Sequence, residues 1–289
     1  MPGNSGLAVI TGTTHGIGRV TAAELARSGY TLVMLCRDLD SGGAVQRSIV
    51  NDRPSAIVHV VRCDLASFDS VRECARQVRQ NFGMIDLFIN NAGAANVRHK
   101  VSPDGYELTF ATNHLGPFLL TCLLADRVAA NGRIINVASI AHYRGLLDLE
   151  HVADARAPYS ARAAYARSKL ANVLHTFALA RRLAGTQTTA NCCHPGIVAT
   201  NILPLWLRPV QRLLHRATFD AARGARTTLY LAASNDVRHV SGRYFDENQC
   251  IQPASNLAND VALQESLWTT SARWTGLEAA GPIDAGRSE

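Results

Sequence analysis

The chain has 289 residues, 47% hydrophobic and 18% charged, a balance too apolar for a disordered protein. Its longest apolar run, FLLTCLLA at Phe118 to Ala125, is well short of the roughly 20 residues a bilayer requires, which excludes a transmembrane segment as an expectation. The net charge of +6 comes from basic residues dispersed without any run of five, so nucleic acid is not an expected partner and only a local need for positive charge remains.

In chain order, MPGNSG lacks the basic start and apolar stretch of a secretory signal, which predicts a cytoplasmic protein, and leads into a first strand at Leu7 to Thr11. TGTTHGIG (Thr11 to Gly18) follows and opens a helix over Ile17 to Ser28. In it Gly12, Gly16 and Gly18 permit a tight turn and close backbone approach, while Thr14, His15 and Ile17 sit where free helix N–H groups face an anion. The spacing is neither GxGxxG nor a P-loop, and phosphate binding is read from the strand before and the helix after. Strands are predicted next at Thr31 to Leu35, Ile57 to Arg62 and Ile85 to Asn90, with a helix over Ser67 to Asn81. A helix over Thr109 to Ala129, a strand at Arg133 to Ser139, a helix over Ala161 to Ala184 and a strand at Thr188 to His194 follow. A helix over Asp220 to Ala233 and a strand at Arg243 to Asp246 complete the pattern, and the tail after Asp246 reads as irregular. Such alternation predicts an α/β fold, one doubly wound domain with a seven-stranded, mostly parallel sheet and helices on both faces. Its core is residues 7–246 and its tail 247–289.

Two insertions interrupt the pattern, Ile140 to Ser160 and Val198 to Phe219, and both emerge at the carboxyl ends of strands, where open α/β sheets bind ligands. Seven scattered cysteines without CxxC or zinc-finger spacing read as reduced, buried small hydrophobes, and His194 beside Cys192 and Cys193 alternates across a strand, so no metal is predicted.

Within AAYARSKLANVLH (Ala163 to His175), Tyr165 and Lys169 are four apart and share one helix face. The pair reads equally as a surface coincidence or as a tuned acid, since a cation beside a phenol lowers its pKa from about 10. Ser139 at the end of its strand is an ordinary cap, or a second hydroxyl that holds a carbonyl oxygen beside the phenol.

TGxxxGIG, NNAG (Asn90 to Gly93), NVAS (Asn136 to Ser139) and YxxSK in this order resemble the short-chain dehydrogenase/reductase superfamily over Leu7 to Asp246. TNHLGPFLLT, NVASIAHYRG, YARSKLANVLHTFALARRL and HPGIVATNI are similar to its retinol-dehydrogenase-like branch, which includes relatives of the WW-domain oxidoreductase and protochlorophyllide reductase; that branch shares the long gap of 26 positions between Ser139 and Tyr165. The resemblance implies a Rossmann-type NADP(H)-binding domain in which Tyr165 is the general acid and Lys169 lowers its pKa and holds the nicotinamide ribose. Ser139 steadies the carbonyl, and Asn113 holds a water, unless it is a helix-interior amide bonded to backbone. It further implies cofactor contacts from Asn91, Ala92 and Gly93, from the loop Pro195, Gly196, Val198 and Thr200, and from Asp64 with Leu65 at the adenine; Asp64 as a helix cap is the alternative. At the end of the second strand Cys36 stands where the family's NAD-selective members carry Asp. Arg37 follows, helped by His15, and the choice expected is NADP(H).

The implied activity is hydride transfer between the nicotinamide and a carbonyl or alcohol of a lipophilic small molecule. Reduction of a carbon–carbon double bond, and a catalytically silent NADP-sensing scaffold, are the alternatives. Leu203 to Leu214, with Leu, Trp, Pro and Arg, reads as a substrate lid or as a lid in transient contact with a membrane. Pairing of two copies through the helices around Thr109 to Ala129 and Ala161 to Ala184 is the family's common mode, which the insertion before Tyr165 would obstruct.

Overall fold

The computed structural model describes residues 6–150, 159–196 and 221–277. Its central strands are short β-branched and apolar runs: LAVIT in β1 (Leu7–Thr11), TLVMLC in β2 (Thr31–Cys36) and IDLFIN in β4 (Ile85–Asn90). Runs without alternation suit a parallel sheet covered on both faces. With β3 (Val58–Arg62), β5 (Val128–Val137), β6 (Thr189–Cys193), β7 (Tyr244–Phe245) and β8 (Ile251–Gln252) they form one sheet, ordered β3-β2-β1-β4-β5-β6-β7-β8. Every neighbouring pair is parallel except β7 with β8. The sheet thus has one strand more than the seven expected. Ile251–Gln252 is too short to show a period and pairs only because the chain turns back at Asp246.

The register sorts the core into two halves. Val9 pairs with Val33 and Phe88, Phe88 with Ile134, and Ile134 with Ala190, and all five join one buried cluster. One residue further, Ile10, Met34, Ile89 and Ile135 make the same row on the opposite face. The first cluster is closed by α3 (Phe68–Asn81), α4 (Gly116–Leu124), α5 (Ala161–Arg182) and α7 (Val261–Trp274); the second by α1 (Gly16–Arg27), α2 (Leu39–Asp52) and α6 (Ala221–Ala233). All seven cysteines are free thiols, and all but Cys250 are buried.

Two helices go beyond the sequence reading. α2 carries Gly42 and Gly43, poor helix formers, yet Asp38 caps it by accepting from the Ser41 N–H at 2.6 Å. Gly42 is needed because a Cβ there would meet the Val60 side chain at 2.7 Å. The tail read as irregular contains α7, capped by Asp260, which accepts from the Leu263 N–H at 3.1 Å. Trp268 on α7 meets Phe118 edge-on at 5.0 Å, stacks on His175 at 5.4 Å and carries the Arg182 guanidinium at 3.9 Å from its ring. α7 thereby packs against both α4 and α5.

The predicted helix over Thr109 to Ala129 is a composite, with a turn at Leu108–Phe110 and a π-helical stretch at Ala111–Leu115 before α4. The run from Leu108 to Arg127 is long and apolar enough by composition to cross a membrane, but it is mostly buried in the core.

Trp268→Ala is expected to cost about 3 kcal/mol of unfolding free energy, read from urea titrations, because it empties a buried site between two helices. A change below about 0.5 kcal/mol would show that α7 does not stabilise the core.

Candidate active site

The strand order reverses between β1 and β4, and the crevice beyond their carboxyl ends collects the loops after β1, β4, β5 and β6. Gly12 turns at φ +73°, and a Cβ on it would meet the Ala92 Cα at 2.7 Å; Gly16 turns at φ +53°. A Cβ at Gly18 would strike the Gly12 carbonyl oxygen at 2.2 Å, so helix and turn touch backbone to backbone. α1 begins at His15 without a side-chain cap and without an acidic residue in its first turn, which leaves its N–H groups to an anion. The Thr14 hydroxyl is hydrogen-bonded to His15 Nδ1 at 2.9 Å. These features fit the diphosphate of a dinucleotide.

The loop after β4 is sewn to this turn. Thr11 Oγ1 accepts from the N–H groups of Asn91 (3.1 Å) and Ala92 (3.0 Å), and Asn91 Nδ2 donates to the carbonyls of Thr11 and Gly12. At the end of β2, Cys36 is buried with its Sγ 3.2 Å from Thr13 Oγ1, while Arg37 is exposed. Asp38 is spent as the cap of α2, so the charge free to meet a ligand there is positive. Asp64 Oδ1 accepts from the Ala66 N–H at 3.0 Å, capping its own turn, whereas Ser67 caps α3. The Leu65 carbonyl lies where a Cβ on Gly116 would be, at 2.1 Å.

Ser139 and Tyr165 meet. Ser139 caps a 3₁₀ turn, Ile140–Arg144, by accepting from the Ala141 N–H at 3.2 Å, and its hydroxyl is hydrogen-bonded to the Tyr165 phenol. Lys169, one helical turn on, is buried, donates from Nζ to the Val137 carbonyl at 2.8 Å and lies 5.8 Å from the centre of the Tyr165 ring. Gly93 faces that ammonium, which a Cβ would meet at 3.3 Å.

Burial pushes the phenol of Tyr165 up, and the bond to Ser139 only partly offsets this. The downward shift expected from Lys169 is absent from the protein by itself. The physical reason is that Lys169 pays for its own burial: its ammonium is pushed down to about 8. The Asn113 side chain is engaged with the protein. Its Oδ1 accepts from the Ala94 N–H at 2.7 Å, and Nδ2 donates to the Ala94 carbonyl at 2.8 Å and to Ser168 Oγ at 2.9 Å. The side chain fastens the loop after Gly93 to α5, the backbone-bonded alternative.

After β6, His194 is buried, Pro195 half-buried, and Gly196 turns at φ +80°. Val198, Thr200 and the whole insertion from Val198 to Phe219 lie outside the described residues. Sequence reasoning did not single out the groups that hold the site in shape: Thr11, Ser168 and the buried amides Asn90 and Asn136. Asn90 Nδ2 donates to Asn136 Oδ1 at 2.8 Å, and Asn136 Nδ2 to Thr176 Oγ1 at 2.9 Å. An asparagine ending each of two adjacent strands was the available signal.

Comparison with known proteins places this geometry. The short chain dehydrogenase family model matches residues 6–206. Retinol dehydrogenase 13 of Homo sapiens is 38% identical over 284 residues, covering 94% of this chain and 85% of that protein. The crystal structure of an uncharacterised protein from Mycobacterium Paratuberculosis superposes with a TM-score of 0.78 at 36% identity over 94% of each chain. A blue fluorescent protein from a metagenomic library, solved in complex with NADPH, has a TM-score of 0.69 at 26% identity, covering 85% of this chain and 97% of that one.

The lysine carries a stability signature. Between about 8 in the folded chain and the ordinary lysine value of 10.5, the unfolded chain binds more protons, so unfolding free energy rises as pH is raised through that window. Lys169→Met is expected to stabilise the cofactor-free protein by on the order of 2 kcal/mol at pH 7 and to abolish that rise, measured by denaturant titrations at pH 7 and 10.

Proposed function

The chain belongs to the short chain dehydrogenase family, and from that premise we propose that it is an NADP(H)-dependent oxidoreductase interconverting a carbonyl and an alcohol on a lipophilic small molecule. The observation that carries this reading is the hydrogen-bonded pair of hydroxyls, Ser139 and Tyr165, with the buried Lys169 ammonium one turn behind. Two such hydroxyls can hold one carbonyl oxygen, and the phenol is the group with a proton to give.

Gly12, Thr14, His15, Gly16, Ile17 and Gly18 would hold the diphosphate. Asp64 and Leu65 would meet the adenine; Asn91, Ala92 and Gly93 the ribose side; and Pro195 and Gly196, continuing to Val198 and Thr200, the nicotinamide. Arg37 supports the phosphorylated form, because its exposed guanidinium suits a 2′-phosphate and no carboxylate stands at Cys36 to repel one. When bound, the cofactor supplies the hydride and, oxidised, a positive charge. Lys169 has one N–H committed to Val137 and two left for ribose hydroxyls. Bringing a phenol from about 10 to near 7 takes roughly 4 kcal/mol of help, and in the protein by itself burial raises Tyr165 more than Ser139 lowers it, while Lys169 loses its own proton near 8, before the phenol would ionise. Ser139 keeps the substrate oxygen within reach of the phenol, and Asn113 keeps Gly93 and Ala94 against α5.

A lipophilic substrate is supported by the apolar side chains exposed on the turn after Ser139, Ile140, Tyr143 and Leu146, and by a relative whose name makes it a retinol dehydrogenase. A cytoplasmic location goes with the reading, supported by seven unpaired cysteines.

Tyr165→Phe is expected to lower turnover of aldehydes and ketones by at least about a hundredfold while NADPH affinity, read by fluorescence, stays within a factor of about two. Unchanged turnover rejects the assigned acid, and a product with an intact carbonyl and a saturated carbon–carbon bond rejects the reaction. Arg37→Asp is expected to move the ratio of efficiencies with NADPH and NADH toward NADH by about tenfold or more; an unmoved ratio rejects Arg37 as the selector.

A further inference from the structure

The chain beyond β7 carries none of the motifs that shape the crevice, yet two histidines connect it to the crevice's reactive end. His142, fully buried, follows Ser139 by one turn. Its Nδ1 is 2.8 Å from the Ser139 carbonyl oxygen, and its Nε2 receives the Ser255 N–H at 3.3 Å. Ser255 can only donate, so Nε2 is the bare nitrogen, and Nδ1 carries the proton to Ser139.

His194 is wired the opposite way. The Gly196 N–H donates to its Nδ1 at 3.0 Å, and its Nε2 lies 2.8 Å from Glu247 Oε2. Nδ1 is therefore bare, and Nε2 carries the proton to the carboxylate. Each imidazole thus bonds backbone beside a reactive-end loop on one side and the β7–β8 region on the other. Burial holds both rings below the ordinary histidine value, with Glu247 opposing this at His194, so both are neutral at pH 7.

The β7–β8 hairpin is itself stiff. Asp246 Oδ1 accepts from the N–H groups of Asn248 (2.8 Å) and Cys250 (3.0 Å), its Oδ2 accepts from Gln252 Nε2, and Thr227 on α6 donates to its carbonyl. His142 also packs between the rings of Tyr143 and Tyr244, at 4.0 and 4.6 Å, and the Tyr143 hydroxyl donates to the Pro253 carbonyl.

We propose that the β7–β8 hairpin and the strap to Ser255 brace the reactive end through His142 and His194, two positioning residues held in opposite tautomers, with Glu247 anchoring His194 and Gly196 at the start of the loop that follows β6. The proposal rests on the reading that this loop meets the nicotinamide half of the cofactor. Loss of the Glu247 anchor therefore weakens what the nicotinamide half contributes to binding and leaves the adenine half alone.

In the full-length protein without cofactor, long-range ¹⁵N–¹H correlation of the histidine rings is expected to show His142 protonated at Nδ1 and His194 at Nε2; either ring in the other tautomer overturns the brace. Glu247→Ala is expected to weaken NADPH binding about tenfold while binding of 2′,5′-ADP, which lacks the nicotinamide half, is unchanged. Glu247→Gln, which keeps an acceptor for Nε2–H, is expected to restore most of the loss. Equal loss for both ligands, or none for either, overturns the proposal. A wild-type protein that binds neither ligand rejects the cofactor reading instead, and the tautomers then decide the brace by themselves.

Discussion

A single ammonium sealed inside the protein sets the conditions for everything around it. Lys169 is placed by α5 beneath the loop ends of β4 and β5, almost fully buried, and among the described residues its ammonium has one strong acceptor, the Val137 carbonyl. Desolvation of a cation is costly, and the fall toward 8 records that cost. Tolerating it constrains the neighbours. A Cβ on Gly93 would crowd the ammonium at 3.3 Å, and Asn113 uses its amide to hold Ala94 and Ser168 in place. An arrangement that destabilises the fold where chemistry is expected is the usual mark of a site kept for function.

The sheet delivers these groups by register. Rows of apolar residues fix β1, β2, β4, β5 and β6 against each other, so the strands end together and their last residues share one rim. At that rim the rows turn polar, and Asn90, Asn136 and Thr176 bond one another instead of water. A buried polar chain linked in this way tolerates few alternative alignments, although Asn90 Oδ1 is left without a partner among the described residues, and this is how a hydrophobic sheet comes to hold loops at fixed relative positions. The same rim receives the phenol and the hydroxyl from α5 and β5.

Much of this was legible in the residues. TGTTHGIG announces its turn because only glycine takes φ +73° at Gly12 or tolerates the contact at Gly18, and the apolar runs of β1 and β4 match their strands residue for residue. Tyr165 and Lys169 share a face because the helix period puts them there. Elements that owe their existence to tertiary partners were not legible. α2 contains two glycines and survives by its cap and its close fit on β3. α7 follows only the two-residue β8, which is too short to read, so the βα alternation gives no cue to it. β8 exists only as the return leg of a turn held by Asp246. The direction of the Tyr165 shift was hidden for a related reason: spacing along a helix shows that two groups are neighbours, but not that burial has already weakened the charge one was meant to lend.

The position of α7 in the chain bears on how the protein is made. Its Leu267 and Trp268 belong to the same cluster as Phe88, Phe118 and Leu174, and the Arg72 guanidinium donates to the carbonyl of Thr275, 203 residues away. A ribosome delivers β1 to β6 and α5 before it delivers α7, so during synthesis the groove between α4 and α5 stands open to solvent with its aromatic floor uncovered. Completion of that half of the interior waits for α7, and the interval before it is when the nascent protein most needs a chaperone's shelter.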